Sequence, residues 1–453
     1  MMNKYLHRYD IFPKVFLVKR DTLITLKAID SAFGFSPDAV YNIKVSKLDQ
    51  ANESVYPERE GRYSFEVKAD SKSELKFSFN SPTEGQYKVC VYPPEAEKHA
   101  LELYIFALAE DMKGRFPYRG DLHVHTSKSD GSESPETVCA NYRAHGYDFM
   151  TISDHRRYYP SLEAKSTFDG ISDLNIVEGE EVHLPLNNVH YVNFGGSYSI
   201  NALVTPNKNQ EKAGDDLRYR SIDMKAPDPI SEEEFKEMIC KRAETVDRPH
   251  LSEKRSYAVM EWIYEHITRS NGLGIFPHPF WLCPMQQLSD DYLDFIYENK
   301  PFDAFEVLGG EVYYQHNGFQ TAYYYKKKAE GFDPPIVGST DTHGSTENNR
   351  GALICSTIVF AKENKKDALI EAIKEKYSIA VDTISQEYRL VGDYRFVKYA
   401  SFLMENYYPL HDKACACEGY YMNEYLSSPE PASTILKAMK GQIKAMQDKY
   451  FAL

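Results

Sequence analysis

Short runs of apolar residues, alternating or continuous, fill the first quarter of the chain. Segments 15–18, 22–28, 41–45, 62–67, 75–79 and 86–92 are rich in β-branched and aromatic residues. Polar turn clusters such as Ser81-Pro82-Thr83-Glu84-Gly85 separate them. Runs of this kind read as strands. Their number and spacing predict a small all-β, sandwich-like domain over residues 1–115. No catalytic constellation falls in it, so a structural or interaction role is expected in preference to sugar binding.

At Tyr118-Arg119-Gly120 the pattern changes to strands alternating with helices, an α/β pattern. Ser134 as N-cap and Pro135 at the first position start a helix that carries Val138, Cys139 and Tyr142 and stops at Gly146. The apolar run 147–153 follows as the next strand, and this β-α-β order implies parallel pairing. Runs 174–177, 190–194, 272–277, 304–308, 335–340 and 377–381 continue the strands, with a helix over 364–376. Residues 197–270 break the alternation. Helices over 232–242 and 252–269 predict an insertion that is either a lid over the site or a surface excursion. Residues 386–453 predict a mostly helical extension ending in an amphipathic helix over 431–449.

Composition narrows the class. The 453 residues are 42% hydrophobic and 26% charged, as in a water-soluble globular protein. No run approaches the roughly 20 apolar residues of a membrane span, and no secretory leader is legible, so the expectation is cytoplasmic. Seven cysteines, single except for Cys415-Ala416-Cys417, fit reduced thiols. A formal net charge of −14 argues against general nucleic-acid binding, which needs clustered Lys and Arg.

The chemistry gathers at strand ends. In Asp121-Leu122-His123-Val124-His125-Thr126 the two imidazoles project from one face of a strand while Leu122 and Val124 face a core. With Asp130 close by, that face suits a first-row divalent metal. Further acids and histidines end other apolar runs: Asp154-His155, Gly179-Glu180-Glu181, His190, Pro277-His278 and Asp341-Thr342-His343. His183 is a weaker rival of His190, and Glu306 at another strand end is a supporting or substrate-contacting acid. Arg156, Arg157 and Arg350 are candidates to clamp a phosphate group bidentately.

Taken in order, these motifs resemble the PHP (polymerase and histidinol phosphatase) family of metal-dependent phosphoesterases, over about residues 116–385. The resemblance implies a distorted TIM-like (β/α)7 barrel with its site at the C-terminal strand ends. It also implies three metal positions. His123, His125, Glu181 and Asp341 would hold the first. Glu181 as a bridge, with His190 and His278, would hold the second, and Asp130, His155 and His343 the third. Glu181 is favoured over Glu180, a solvated neighbour in that reading. Two to three divalent ions (Mn, Zn or Fe) would activate water against a small-molecule phosphate ester, with Asp341, His343 and Glu181 central to catalysis. Hydrolysis of a non-phosphate substrate, or metal and sugar-phosphate binding without turnover, are the alternatives.

Overall fold

In the computed structural model, which describes residues 7–50, 62–96, 98–99, 101–205, 226–282, 288–310, 313–345, 354–384 and 388–453, the chain divides into two compact units. One comprises Met1–Phe116, Tyr394–Ala414 and Gly441–Leu453; the other comprises Pro117–Asp393 and Cys415–Lys440. The C-terminal residues expected as a single extension are therefore shared between the two. The expected helix over 431–449 is broken into Pro429–Met439 and Gln442–Tyr450, with Gly441 between them at φ +85°. Glycine takes that left-handed conformation without the Cβ clash that would resist it elsewhere.

The first unit contains the six expected strands, together with Tyr9–Phe12, Leu101–Leu108 and Phe451–Ala452. Tyr9–Phe12, Asp21–Ala28 and Glu74–Asn80 form one antiparallel sheet. A six-stranded sheet runs in the order Phe451–Ala452, Val15–Leu17, Leu101–Leu108, Gly85–Tyr92, Val40–Lys47, Arg62–Lys68. Alternation does what the pleat requires. Tyr41, Ile43 and Val45 are buried while Val40, Asn42 and Lys44 are exposed. The buried faces of both sheets contribute to one core, Ile24, Leu26 and Phe77 from one and Ile43, Val89 and Ile105 from the other.

The second unit is mixed α/β. One sheet runs Asn175–Val177, Phe149–Thr151, Phe116–Asp121, Cys355–Ala361, Ser378–Asp382, Arg389–Val391. The other runs Gly179–Val182, Tyr191–Phe194, Leu273–Phe276, Ala304–Leu308, Ile336–Gly338. The predicted parallel pair is present, with Phe149 opposite Gly120 and Met150 opposite Asp121. The helix between them, Pro135–Ala144, is capped as expected by Ser134, whose side chain accepts from the Thr137 N–H. Antiparallel pairs depart from that order: Gly179–Val182 with Tyr191–Phe194, which also pairs with Leu273–Phe276, and Ser378–Asp382 with both Cys355–Ala361 and Arg389–Val391. Parallel bridges at Val124–Thr342 and His155–Glu181 tie one sheet to the other.

Helices Glu232–Ala243 and Leu251–Arg269 form close to the expected bounds, the first with a Ser231/Glu234 capping box. They are not a surface excursion. Phe235, Ile239, Ile263 and Ile267 are fully buried in the same core as Val182, Tyr191, Phe276 and Phe305. Residues 206–225 of that segment lie outside the described residues. Among the described residues no helix is long and apolar enough to cross a membrane.

Candidate metal centre

The site is assembled from strand ends of the second unit. His123 and His125 follow Phe116–Asp121, and their backbone is stitched to the segment carrying Asp341. The Asp341 N–H donates to His123 O and the His125 N–H to Thr342 O, both at 2.9 Å. Fully buried Asp121 secures the same junction by accepting from the backbone N–H groups of His123 and Thr340, each at 3.1 Å. Leu122 and Val124 are fully buried on the opposite face. Because Tyr191–Phe194 runs antiparallel, its start lies level with the ends of its neighbours, and so His190 joins His278, which follows Leu273–Phe276. His278 and Asp341 have positive φ values, +25° and +52°. Such conformations cost non-glycine residues about 1–3 kcal/mol and persist where the surroundings hold a side chain in one place.

Glu181 is the hub. Its fully buried carboxylate lies within 3.6 Å of six imidazoles: His155 at 2.6 Å, His190 at 2.7 Å, His125, His183 and His278 at 3.4 Å, and His123 at 3.6 Å. Asp341 Oδ1 lies 2.9 Å from His125 Nε2 and 3.2 Å from His123 Nε2. A second focus is Asp130, whose two oxygens lie 3.3 Å from His155 Nε2 and 3.4 Å from His343 Nε2. Its loop is pinned by buried Asp154, which accepts from the Thr126 N–H (2.7 Å), the Thr126 hydroxyl (2.6 Å) and the Ser129 hydroxyl (2.5 Å).

The electrostatics follow from this crowding. Burial opposes charge on His123, but Asp341, Glu181 and Glu306 outweigh it and hold the imidazole well above its ordinary pKa. His155 is pushed up to about 10, burial being overcome by Glu181 and Asp130. His125 goes down to about 3, since burial and the adjacent His155 and His343 outweigh Asp341. Burial works against ionised Glu181 and Asp341, yet the surrounding imidazoles keep both well below the carboxylate range. Cations that displaced the imidazole protons would take over the same carboxylate oxygens.

All nine expected metal-ligating side chains thus lie in one contiguous cluster. Three further residues complete the picture. Glu180, expected to be solvated, is fully buried with its side chain turned the other way. It accepts from Ser199 Oγ (2.8 Å), Asn201 Nδ2 (2.8 Å), Asn193 Nδ2 (3.3 Å) and the Ile200 N–H. Period-two alternation separates it from Glu181. Glu306, also fully buried, lies 3.1 Å from His123 Nδ1 and accepts from the His278 N–H at 3.3 Å. His183 stands with His190 instead of replacing it, their ring centroids 4.1 Å apart. Arg156 and Arg157 follow directly, the Arg156 N–H donating to Glu181 O at 3.0 Å and Arg157 being buried. Arg350 lies outside the described residues.

The donor set fits first-row divalent ions. Metal–ligand bonds of about 2.0–2.2 Å set edges of about 2.8–3.6 Å between neighbouring ligand atoms in tetrahedral or octahedral shells. Separations among His123, His125, Asp341 and Glu181 fall at 2.9–3.6 Å, and those about Asp130 at 3.3–3.4 Å. Two subsets, His123/His125/Asp341 and His125/Asp130/His155/His343, each bring one ligand atom per residue within 4.8 Å of the others.

No protein-family model and no curated protein matches the sequence. Among solved structures the chain is similar to a two-domain protein of Bacteroides vulgatus containing a predicted PHP-like metal-dependent phosphoesterase, at 15% identity and a TM-score of 0.40. The likeness covers 65% of this chain and 71% of that one. It is also similar to a Bifidobacterium adolescentis protein named as a metal-dependent phosphoesterase (16% identity, TM-score 0.32, 51% and 89% covered). An amidohydrolase from Chromobacterium violaceum is a third (14%, 0.29, 51% and 89%). At these scores none of the three fixes the fold or the activity of this chain.

Proposed function

We propose that the chain is a metal-dependent phosphoesterase that hydrolyses a small phosphate ester or a nucleotide-type phosphodiester. The observation that carries the reading is the buried Glu181 carboxylate within 3.6 Å of six imidazoles, with Asp341 and Asp130 at its flanks. So many neutral-or-cationic rings around so few acids is a costly arrangement unless ions organise it. In this reading His123, His125, Glu181 and Asp341 hold one ion, Glu181, His190 and His278 a second, and Asp130, His155 and His343 a third. The sheets joined by the Val124–Thr342 and His155–Glu181 bridges are read as a distorted (β/α)7 barrel, and the first unit as a β-sandwich with a structural or interaction role.

Divalent ions at such a centre supply Lewis acidity that activates water near neutral pH and offsets phosphoryl charge. The chain's own residues then divide the remaining tasks. Glu306 accepts a hydrogen bond from His123 Nδ1–H, which keeps the proton there and leaves Nε2 facing Asp341 and Glu181. His343, with Nδ1 3.1 Å from Asp341 O and its side chain 24% exposed, would hold with Asp130 and His155 the ion on the exposed side, which would offset charge on the leaving group. Arg156, Arg157 and Arg350 are assigned to a second anionic group on the substrate.

The test is metal content per chain, followed by turnover of a panel of phosphomonoesters, phosphodiesters, amides and lactones with Mn, Zn or Fe. Two to three ions with release of phosphate or a phosphomonoester support the reading. Bound metal with turnover of amides or lactones alone moves the assignment to a non-phosphate hydrolase. No bound metal after reconstitution refutes the centre.

A further inference from the structure

We propose that His183, which belongs to none of the three expected ligand groups, is the positioning residue that fixes the tautomer and orientation of His155. The inference rests on the metal-centre reading above. His183 lies two residues beyond Glu181, and its backbone N–H is anchored to Asn201 Oδ1 at 2.9 Å. Its ring centroid is 4.6 Å from that of His155. Its Nε2 lies 2.7 Å from His155 Nδ1 and 3.4 Å from Glu181 Oε2.

His155 addresses a different group with each nitrogen. Nε2 faces Asp130 Oδ2 at 3.3 Å, on the side of His343, whereas Nδ1 faces Glu181 Oε2 and His183 Nε2. A neutral imidazole offers a lone pair from one nitrogen only when the other carries the proton. His155 therefore serves the Asp130–His343 group through Nε2 with its proton on Nδ1. Two acceptors lie within reach of that proton. One is Glu181, 2.6 Å away and already shared among six imidazoles, whose oxygens are assigned above to two of the ligand groups. The other is His183 Nε2, which then accepts from His155 and must carry its own proton on Nδ1. The 2.7 Å separation is the length of a hydrogen bond. The nearby His190 ring, at 4.1 Å, packs on His183 and limits its rotation.

The experiment titrates the intact chain with Co(II) alone, reading ion number, affinity and the visible absorption band of each step. His183→Ala should weaken one ion, the one assigned to Asp130, His155 and His343, by about 10–100-fold, the usual cost of losing such a partner, while the others are unchanged. His183→Gln, whose Oε1 falls near the position of Nε2, should return that affinity to within about threefold of wild type. His183→Ala binding like wild type overturns the inference. So does His183→Gln losing as much as His183→Ala, which would make His183 a ligand in its own right. Wild-type protein that binds no Co(II) overturns the metal centre itself and is told apart by that control.

Discussion

Glu306 offers the sharpest test of how the site is held. Its fully buried carboxylate serves two expected ligand residues at once, lying 3.1 Å from His123 Nδ1 and accepting from the His278 N–H at 3.3 Å. Glu306→Gln keeps the shape but leaves a single acceptor oxygen, so one of those two donors faces an amide –NH2. Losing a hydrogen bond to a charged acceptor costs about 1.5–3 kcal/mol. At about 1.4 kcal/mol per tenfold, that is a loss of about 10–150-fold in affinity for the ion beside His123. It agrees with the 10–100-fold range typical of partners that orient metal ligands. Competition against a chromogenic chelator for Mn or Zn measures it directly. Gly309→Ala attacks the same contact independently, since a Cβ there would lie 2.2 Å from Glu306 Oε1 at a backbone φ of +156°. Affinity within about twofold of wild type in both variants would falsify the claim that Glu306 supports the centre.

Three other outcomes are expected. Asp341→Ala removes the carboxylate 2.9 Å from His125 and 3.2 Å from His123; turnover should fall below detection and at least one ion should be lost, whereas full activity would dismiss Asp341 as a ligand. Glu180→Gln and Glu181→Gln should separate cleanly. Glu180 answers four buried donors, so its variant should lose about 3 kcal/mol in urea unfolding with metal number intact, while Glu181→Gln should lose metal; the reverse pattern would exchange the two assignments. Free ion at 100 times its dissociation constant should stabilise the second unit by about 2.7 kcal/mol. A chelator should then lower its thermal midpoint by about 5–10 °C, and an unmoved midpoint would argue that no ion binds the folded state.

Local pattern was enough to place most elements. The strands of the first unit and the helices starting at Pro135 and Glu232 were legible because period-two alternation, N-caps and glycine stops are properties of neighbouring residues. Leu101–Leu108 was not, since its run from Leu103 to Leu108 is continuously apolar and fits a buried helix as well as a buried strand. The single C-terminal helix failed at Gly441, where one left-handed residue breaks a pattern that is amphipathic on both sides.

The sequence by itself determined which residues are candidates for metal chemistry, because His123-Val124-His125 puts paired imidazoles on one face and the other acids and histidines end apolar runs. Only the tertiary structure decided how they meet. Glu181 and Glu180 differ by one position, and the strand's pleat turns one toward six imidazoles and the other into four hydrogen-bond donors. His183 and His190 read as rivals along the chain, yet the hairpin that follows Glu181 folds them to one side, 4.1 Å apart. Glu306 lies 183 residues from His123, a separation over which no local pattern reaches, and its role exists only because two strand ends converge.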